Sequence, residues 1–139
     1  MDDGLSIFES PFLFSYLALK LFSLYLANMD KEDWHLVSDV QVAEGGMQRL
    51  KVAGKVICLV KQDGELFAVG NRCPHAGADL AQGWCEAKKI VCPVHRHRFD
   101  LTTGRGDAGQ GNFIPTYPLK VDSGKLYIGI HKSWWKRLF

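Results

Sequence analysis

Four residues stand out by type and spacing: Cys73, His75, Cys92 and His95. They form two short stretches, Cys73-Pro74-His75 and Cys92-Pro93-Val94-His95, with sixteen residues between His75 and Cys92. One thiolate and one imidazole from each stretch make a four-donor set suited to a metal centre held between two loops. In a mixed zinc finger the two Cys come together first and the two His together later. Here the order is Cys-His and again Cys-His. If like donors meet on like metals, Cys73 and Cys92 bind one ion while His75 and His95 bind another. That is the divided ligation of an iron–sulfur centre in which imidazoles serve one of two irons. A single zinc on the same four donors remains the alternative.

The elements that must carry these loops read as short strands. Trp34–Ser38, Met47–Val52, Lys55–Lys61 and Glu65–Asn71 are rich in β-branched, Leu and aromatic residues. Glu44-Gly45-Gly46, Ala53-Gly54 and Gln62-Asp63-Gly64 are turn signals between them. The pattern resumes after the second loop with Lys89–Cys92, Arg98–Leu101, Thr116–Val121 and Lys125–Ile130, the last two joined by Asp122-Ser123-Gly124. Gly104 to Gly111 reads as a loop returning to Pro115. No long helical period occurs after residue 30, so the expected class is all-β, stacked antiparallel sheets or a small barrel.

The bulk properties exclude more than they assign. At 139 residues with 47% hydrophobic content the chain can bury one real core. A net charge of +2 without a basic run gives no case for nucleic acid. Of the four cysteines, Cys58 lies in the apolar run Val56–Val60 and reads as a small buried hydrophobe. Cys85, beside Trp84 in a further strand-like stretch, gets the same reading. Free thiols fit a reducing, cytoplasmic compartment.

The termini are set apart. Residues 1–30 form an apolar extension, helical in character over Pro11 to Asn28, and residues 31–139 form the expected domain. Asp2 and Asp3 argue against a secretory signal, and Lys20 is expensive in the middle of a membrane span. Three readings of the extension stay open. It is an amphipathic anchor at the inner membrane face, or it packs on the domain or a partner, or it is upstream sequence before a start at Met29. The tail Ser133-Trp134-Trp135-Lys136-Arg137-Leu138-Phe139 suits either a bilayer surface or a cover over one side of the barrel.

The context of the two loops carries a family resemblance. The first runs Asn71-Arg72-Cys73-Pro74-His75-Ala76-Gly77-Ala78-Asp79-Leu80, and the second runs from Val91 through Phe99-Asp100-Leu101-Thr102-Thr103-Gly104. Cys-x-His, a gap of sixteen, Cys-x-x-His and the Phe-Asp-Leu-x-Thr-Gly continuation resemble Rieske-type ferredoxins, over roughly residues 33–131. These are the small carriers related to oxygenase ferredoxins and nitrite reductase small subunits. The resemblance implies stacked antiparallel sheets with a two-loop subdomain holding one [2Fe–2S] cluster per chain. By position, Cys73 and Cys92 would bind the inner iron, and His75 and His95 the outer iron beside solvent. It also implies an electron carrier, not an enzyme, between a reductase and a terminal oxygenase or reductase. A redox-sensing or structural subunit of a larger reductase is the second reading.

Departures from the pattern carry expectations of their own. Ala78 and Val94 stand where high-potential relatives carry a disulfide, and His97 and Phe99 where those carry Ser and Tyr donors. Fewer donors to the cluster imply a midpoint near the low end of the Rieske range of about −150 to +300 mV. Arg96 stands where oxygenase ferredoxins commonly have Gly. With His97 and Arg98 it forms either a basic rim for an acidic partner or an ordinary solvated strand face. His35 and His131 read as surface or packing residues.

Overall fold

The computed structural model describes residues 15–26 and 32–131. The chain divides into two units, Met1–Asp33 with His131–Phe139, and Trp34–Ile130. In the first, residues 15–26 form helix α1, whose Leu17, Leu21, Phe22 and Leu24 are exposed. The rest of the apolar extension and the Trp-rich tail lie outside the described residues. No helix among the described residues is long and apolar enough to cross a membrane.

Strands follow in the order β1 (Glu32–Val37), β2 (Met47–Val52), β3 (Lys55–Gln62), β4 (Glu65–Gly70), β5 (Trp84–Glu86), β6 (Lys89–Val91), β7 (Arg98–Asp100), β8 (Thr116–Tyr117), β9 (Leu119–Asp122) and β10 (Lys125–His131). They build three sheets, ordered β1-β10-β9, β2-β3-β4-β8 and β5-β6-β7. The neighbours β2–β3, β3–β4, β4–β8, β5–β6, β6–β7 and β9–β10 pair antiparallel. The all-β class and the strands flanking both loops agree with the sequence reading.

Tight turns explain the hairpins. Ala53-Gly54, Asp63-Gly64 and Ser123-Gly124 each place two successive residues at positive φ. That is the twist that lets a two-residue turn match the strands it joins. The β5–β6 turn uses Ala87 and Lys88 at positive φ with no glycine.

Two apolar clusters share one strand. Ile57 and Leu59 of β3 pack with Val37, Val52, Ala68, Ile128 and Ile130. Cys58 and Val60, on the opposite face of the same strand, pack with Val69, Leu80, Ile90, Phe99, Leu101, Ile114, Cys73 and Cys92. A strand buried on both faces reads as an unbroken apolar run, and Ile57–Val60 is one. The second cluster is the floor of the loops. Cys58 and Cys85 belong to it as free thiols, and burial pushes them up to about 12 and about 11. Both therefore serve as packing groups.

Two local features were not legible beforehand. Thr116–Val121 is two strands in different sheets, because Pro118 has no N–H to donate and the backbone changes partners there. Its carbonyl still accepts from the Gly129 N–H at 2.9 Å. A single 3-10 turn, Leu80–Gln82, is capped by Asp79, whose Oδ1 accepts from the Ala81 N–H at 3.0 Å.

Candidate metal centre

Both loops close in the same way although their sequences differ. Cys73–Ala78 is framed by the backbone bridge Arg72↔Asp79, and Cys92–His97 by the β6–β7 pair Val91↔Arg98. In each, the Cys N–H donates to the carbonyl five residues on, Ala78 or His97, at 2.8 Å. Each Cys carbonyl accepts from the N–H four residues on, at 2.7 Å from Gly77 and 3.0 Å from Arg96. The residue at that fourth position is left-handed, with φ of 73° at Gly77 and 57° at Arg96. The two loops are geometric twins offering Cys-Pro-His-Ala-Gly-Ala and Cys-Pro-Val-His-Arg-His.

The first loop is anchored by Asn71, a buried polar residue of the core. Its Nδ2 donates to Asp79 Oδ1 at 2.6 Å, and its Oδ1 accepts from the Ala81 N–H at 3.0 Å. Behind it, a Cβ on Gly83 would run into the Val91 carbonyl oxygen, so only glycine lets this segment lie against β6. The second loop is the tip of the β6–β7 hairpin.

The four sequence-selected residues come together as two pairs. Cys73 and Cys92 are each 1% exposed and lie side by side in the apolar floor. Burial, with the Cys92 thiol beside it, pushes the Cys73 thiol up, while the N–H groups of His75 and Ala76 pull it the other way. His75 and His95 are exposed, with ring centroids 4.5 Å apart and Nδ1 facing Nδ1 at 3.0 Å. Two nitrogens on one tetrahedral ion, each about 2.0–2.1 Å away, stand about 3.3 Å apart. The imidazole pair is therefore already spaced for a shared ion. Among the described residues, no three His, Cys, Asp or Glu side chains gather with the geometry to hold one ion. Two buried sulfurs and two surface nitrogens suit a divided two-metal centre better than a single tetrahedral ion.

His97 takes a place that spacing did not reveal. Its ring stacks on His75, centroids 4.3 Å apart and planes 29° from parallel. Its Nδ1 meets Asn112 Nδ2 at 3.4 Å, and Gln110 Nε2 donates to Asn112 Oδ1 at 3.2 Å. Gln110 is clamped in turn to the backbone N–H and carbonyl of Arg98, both at 3.0 Å. A Cβ on Gly106 would come within 2.6 Å of the Gln110 and Asn112 side chains. The glycine-rich loop therefore supports His75 from behind through His97. Arg98 is tied to Glu86 and Lys89 to Asp107.

The Phe-Asp-Leu-x-Thr-Gly continuation has a structural cause. Phe99 and Leu101 point into the floor, and Asp100 Oδ1 accepts from the N–H groups of Thr102 and Thr103 at 2.8 and 2.9 Å. The Thr103 N–H is the largest influence holding the Asp100 carboxyl below its ordinary value. A depressed folded-state pKa means stability that is present above the unfolded value and lost as pH falls through the folded one. Asp100→Ala is expected to cost about 1 kcal/mol at neutral pH. The gap from the unsubstituted chain should close in acid, as read by urea midpoints down to about pH 2. A gap that stays constant would mean the turn does not depend on the carboxylate.

Comparison with known proteins bears on this arrangement. Residues 33–118 match the family model of the Rieske [2Fe-2S] domain. The chain belongs to the Rieske family. It is 35% identical over 101 residues to the ferredoxin component of a naphthalene 1,2-dioxygenase system from Pseudomonas aeruginosa, covering 71% of this chain and 97% of that one. Among solved structures it resembles the ferredoxin of carbazole 1,9a-dioxygenase from Nocardioides aromaticivorans IC177. There the identity is 28% and the TM-score 0.61, over 67% of this chain and 95% of the other. A putative NADH-dependent nitrite reductase small subunit from Mycobacterium tuberculosis shares the fold, with a TM-score of 0.66 and 22% identity over 73% and 97% of the chains. The Rieske domain thus carries the [2Fe–2S] cluster implied by the family, and its Cys and His pairs fit that cluster.

Proposed function

We propose that this chain is a single-electron carrier whose one [2Fe–2S] cluster is held by Cys73, Cys92, His75 and His95. The observation that supports this assignment is the split between two buried thiols and two exposed imidazoles with facing Nδ1 atoms. When bound, the cluster supplies one-electron redox chemistry at a potential raised by its neutral imidazole ligands. The chain's own residues do the rest. Cys73 and Cys92 seat the centre in the apolar floor, away from water. His75 and His95, exposed at the surface, set the shortest path to a docked protein. The Phe99 ring is fully buried and offers no hydroxyl donor, which agrees with a midpoint near the low end of the family's range.

The partners on this reading are a reductase and a terminal oxygenase or reductase. The dioxygenase ferredoxins among the relatives support it. Residues 31–139 are the carrier and residues 1–30 an extension, in keeping with a family match that begins at residue 33. The compartment on this reading is the cytoplasm, with membrane contact through residues 11–28 and the C-terminal tail left to fractionation of the full chain. Purified protein is expected to be red-brown, with iron and sulfide each about two per chain and a rhombic signal on one-electron reduction. A colourless chain holding one zinc would overturn the assignment.

A further inference from the structure

The twin loops place one guanidinium each beside the imidazole pair. In the first loop the left-handed residue is Gly77, and Arg72 lies over it. A Cβ built on Gly77 would sit 3.2 Å from both Nε and Nη2 of Arg72. In the second loop the left-handed residue is Arg96 itself, at φ 57°. A residue with a Cβ is disfavoured there and glycine is not, as the twin position shows.

The surrounding acids are already engaged. Asp79 meets Arg49 and Asn71, Glu86 meets Arg98, and Asp107 meets Lys89. Asp100 caps Thr102 and Thr103. Arg72 and Arg96 are both exposed and, among the described residues, have no carboxylate within ion-pair distance. Between them the surface is small and apolar, with Pro74, Ala76, Pro93 and Val94 exposed around the two imidazoles.

We propose that this tip is a docking face for a protein that presents carboxylates, with Arg72 and Arg96 as the two charges that seat it over His75 and His95. The proposal rests on the electron-carrier reading and adds the chemistry of the partner. An apolar centre flanked by arginines is the composition of a protein interface, where guanidiniums pair with carboxylates in fixed geometry. An anionic membrane calls for a cluster of about four to eight cations, and nucleic acid for a longer basic stripe. Two guanidiniums around apolar residues fit neither.

The test uses the intact, cluster-loaded chain. Reduced protein is mixed in stopped flow with ferricyanide, an anion, or hexaamminecobalt(III), a cation. Each takes one electron from the protein and becomes ferrocyanide or hexaamminecobalt(II). The ferricyanide rate is expected to fall with added salt and the cobalt rate to rise. Arg72→Gln and Arg96→Gly should each slow ferricyanide several-fold at low ionic strength, and the pair should abolish most of its salt dependence. Arg96→Gly also removes the strained side chain, so its thermal midpoint should hold or rise, which separates lost rate from lost fold. Lys125→Gln, in the β9–β10 hairpin, deletes the same charge and should leave the rates unchanged. Poly-L-glutamate should slow the ferricyanide reaction of the unsubstituted chain and not of the double variant.

Rates and polyglutamate response indifferent to both arginines, in protein that still carries two irons and cycles one electron, would end the docking proposal while the carrier reading stood. Absence of the two-iron centre would end the carrier reading first. Co-sedimentation with phosphatidylglycerol vesicles that depends on both arginines would overturn the protein partner in favour of a lipid surface.

Discussion

Cys73→Ser or Cys92→Ser is expected to give colourless protein, with iron and sulfide falling from about two per chain to near zero. His75→Cys and His95→Cys are expected to keep a [2Fe–2S] centre and lower its potential. The asymmetry follows from where the donors lie. The two sulfurs are 1% exposed in the apolar floor, where a neutral hydroxyl is a poor donor to iron and water cannot substitute for it. The imidazoles are at the surface, and a thiolate in place of either adds a negative charge to the centre. Centres ligated by four thiolates lie near about −400 mV, against about −150 to +300 mV with two imidazoles, so a single exchange should land between these ranges. Spectroelectrochemistry on each variant reads the shift. An unchanged midpoint and spectrum after both His exchanges would mean that the outer ligands are misassigned.

Cluster loss in the Cys variants is expected to be a local event. None of the residues packed around Ile57, Leu59 and Ile128 comes from the metal loops, so that core persists without the metal. The cluster formed by Leu80, Ile90, Phe99 and Leu101 is roofed by the loops and loses its cover. Hydrogen exchange should therefore accelerate across residues 71–101 and change little in β2 and β10.

The strands were legible because their signals are local. The hairpin turns are written in adjacent residues such as Asp63-Gly64, and Ile57–Val60 announces a strand buried on both faces. Which sheet a strand joins is not local. Thr116–Val121 reads as one strand, and only the partners on either side of Pro118 show that it is two. The four candidate donors were likewise picked out by type and spacing, since metal ligation demands few residue kinds. The support behind them was not. His97 reaches His75 because the Cys92 N–H bonds the His97 carbonyl and turns its ring towards the other loop, sixteen residues and more away in sequence. The equivalence of Gly77 and Arg96 is invisible in the two hexapeptides, because it resides in backbone hydrogen bonds and a shared φ, not in side-chain identity. The alternatives left open for the Arg96–Arg98 stretch resolve residue by residue. His97 packs on His75, Arg98 pairs with Glu86, and of the three only Arg96 faces outward without a partner among the described residues.

Gly104→Ala is expected to destabilise the chain by roughly 3–5 kcal/mol, a large share of the roughly 5–15 kcal/mol typical of a domain. Gly104 has φ of 76°, which costs alanine about 1–2 kcal/mol before any contact is considered. The larger part is steric, because a Cβ there would run into the Ile114 carbonyl oxygen. Gly104 also donates to the Asp100 carbonyl and accepts from the Ile114 N–H, both at 2.8 Å, so it cannot move without breaking the closure of its loop. Gly109 supplies the comparison. Its φ is 91°, yet a Cβ would meet nothing within 4 Å, so Gly109→Ala should cost only about 1 kcal/mol. Urea unfolding of the two variants separates backbone strain from collision. The effect should also reach the metal site, since the loop that Gly104 starts carries Gln110 and Asn112, which hold His97 against His75. In whatever fraction of Gly104→Ala folds, the rhombic signal should broaden as His75 loses its backing, while Gly109→Ala keeps the line shape. Equal costs for the two glycines would show that the loop yields at Gly104, and that the glycine ending the Phe-Asp-Leu-x-Thr-Gly segment is there for its φ alone.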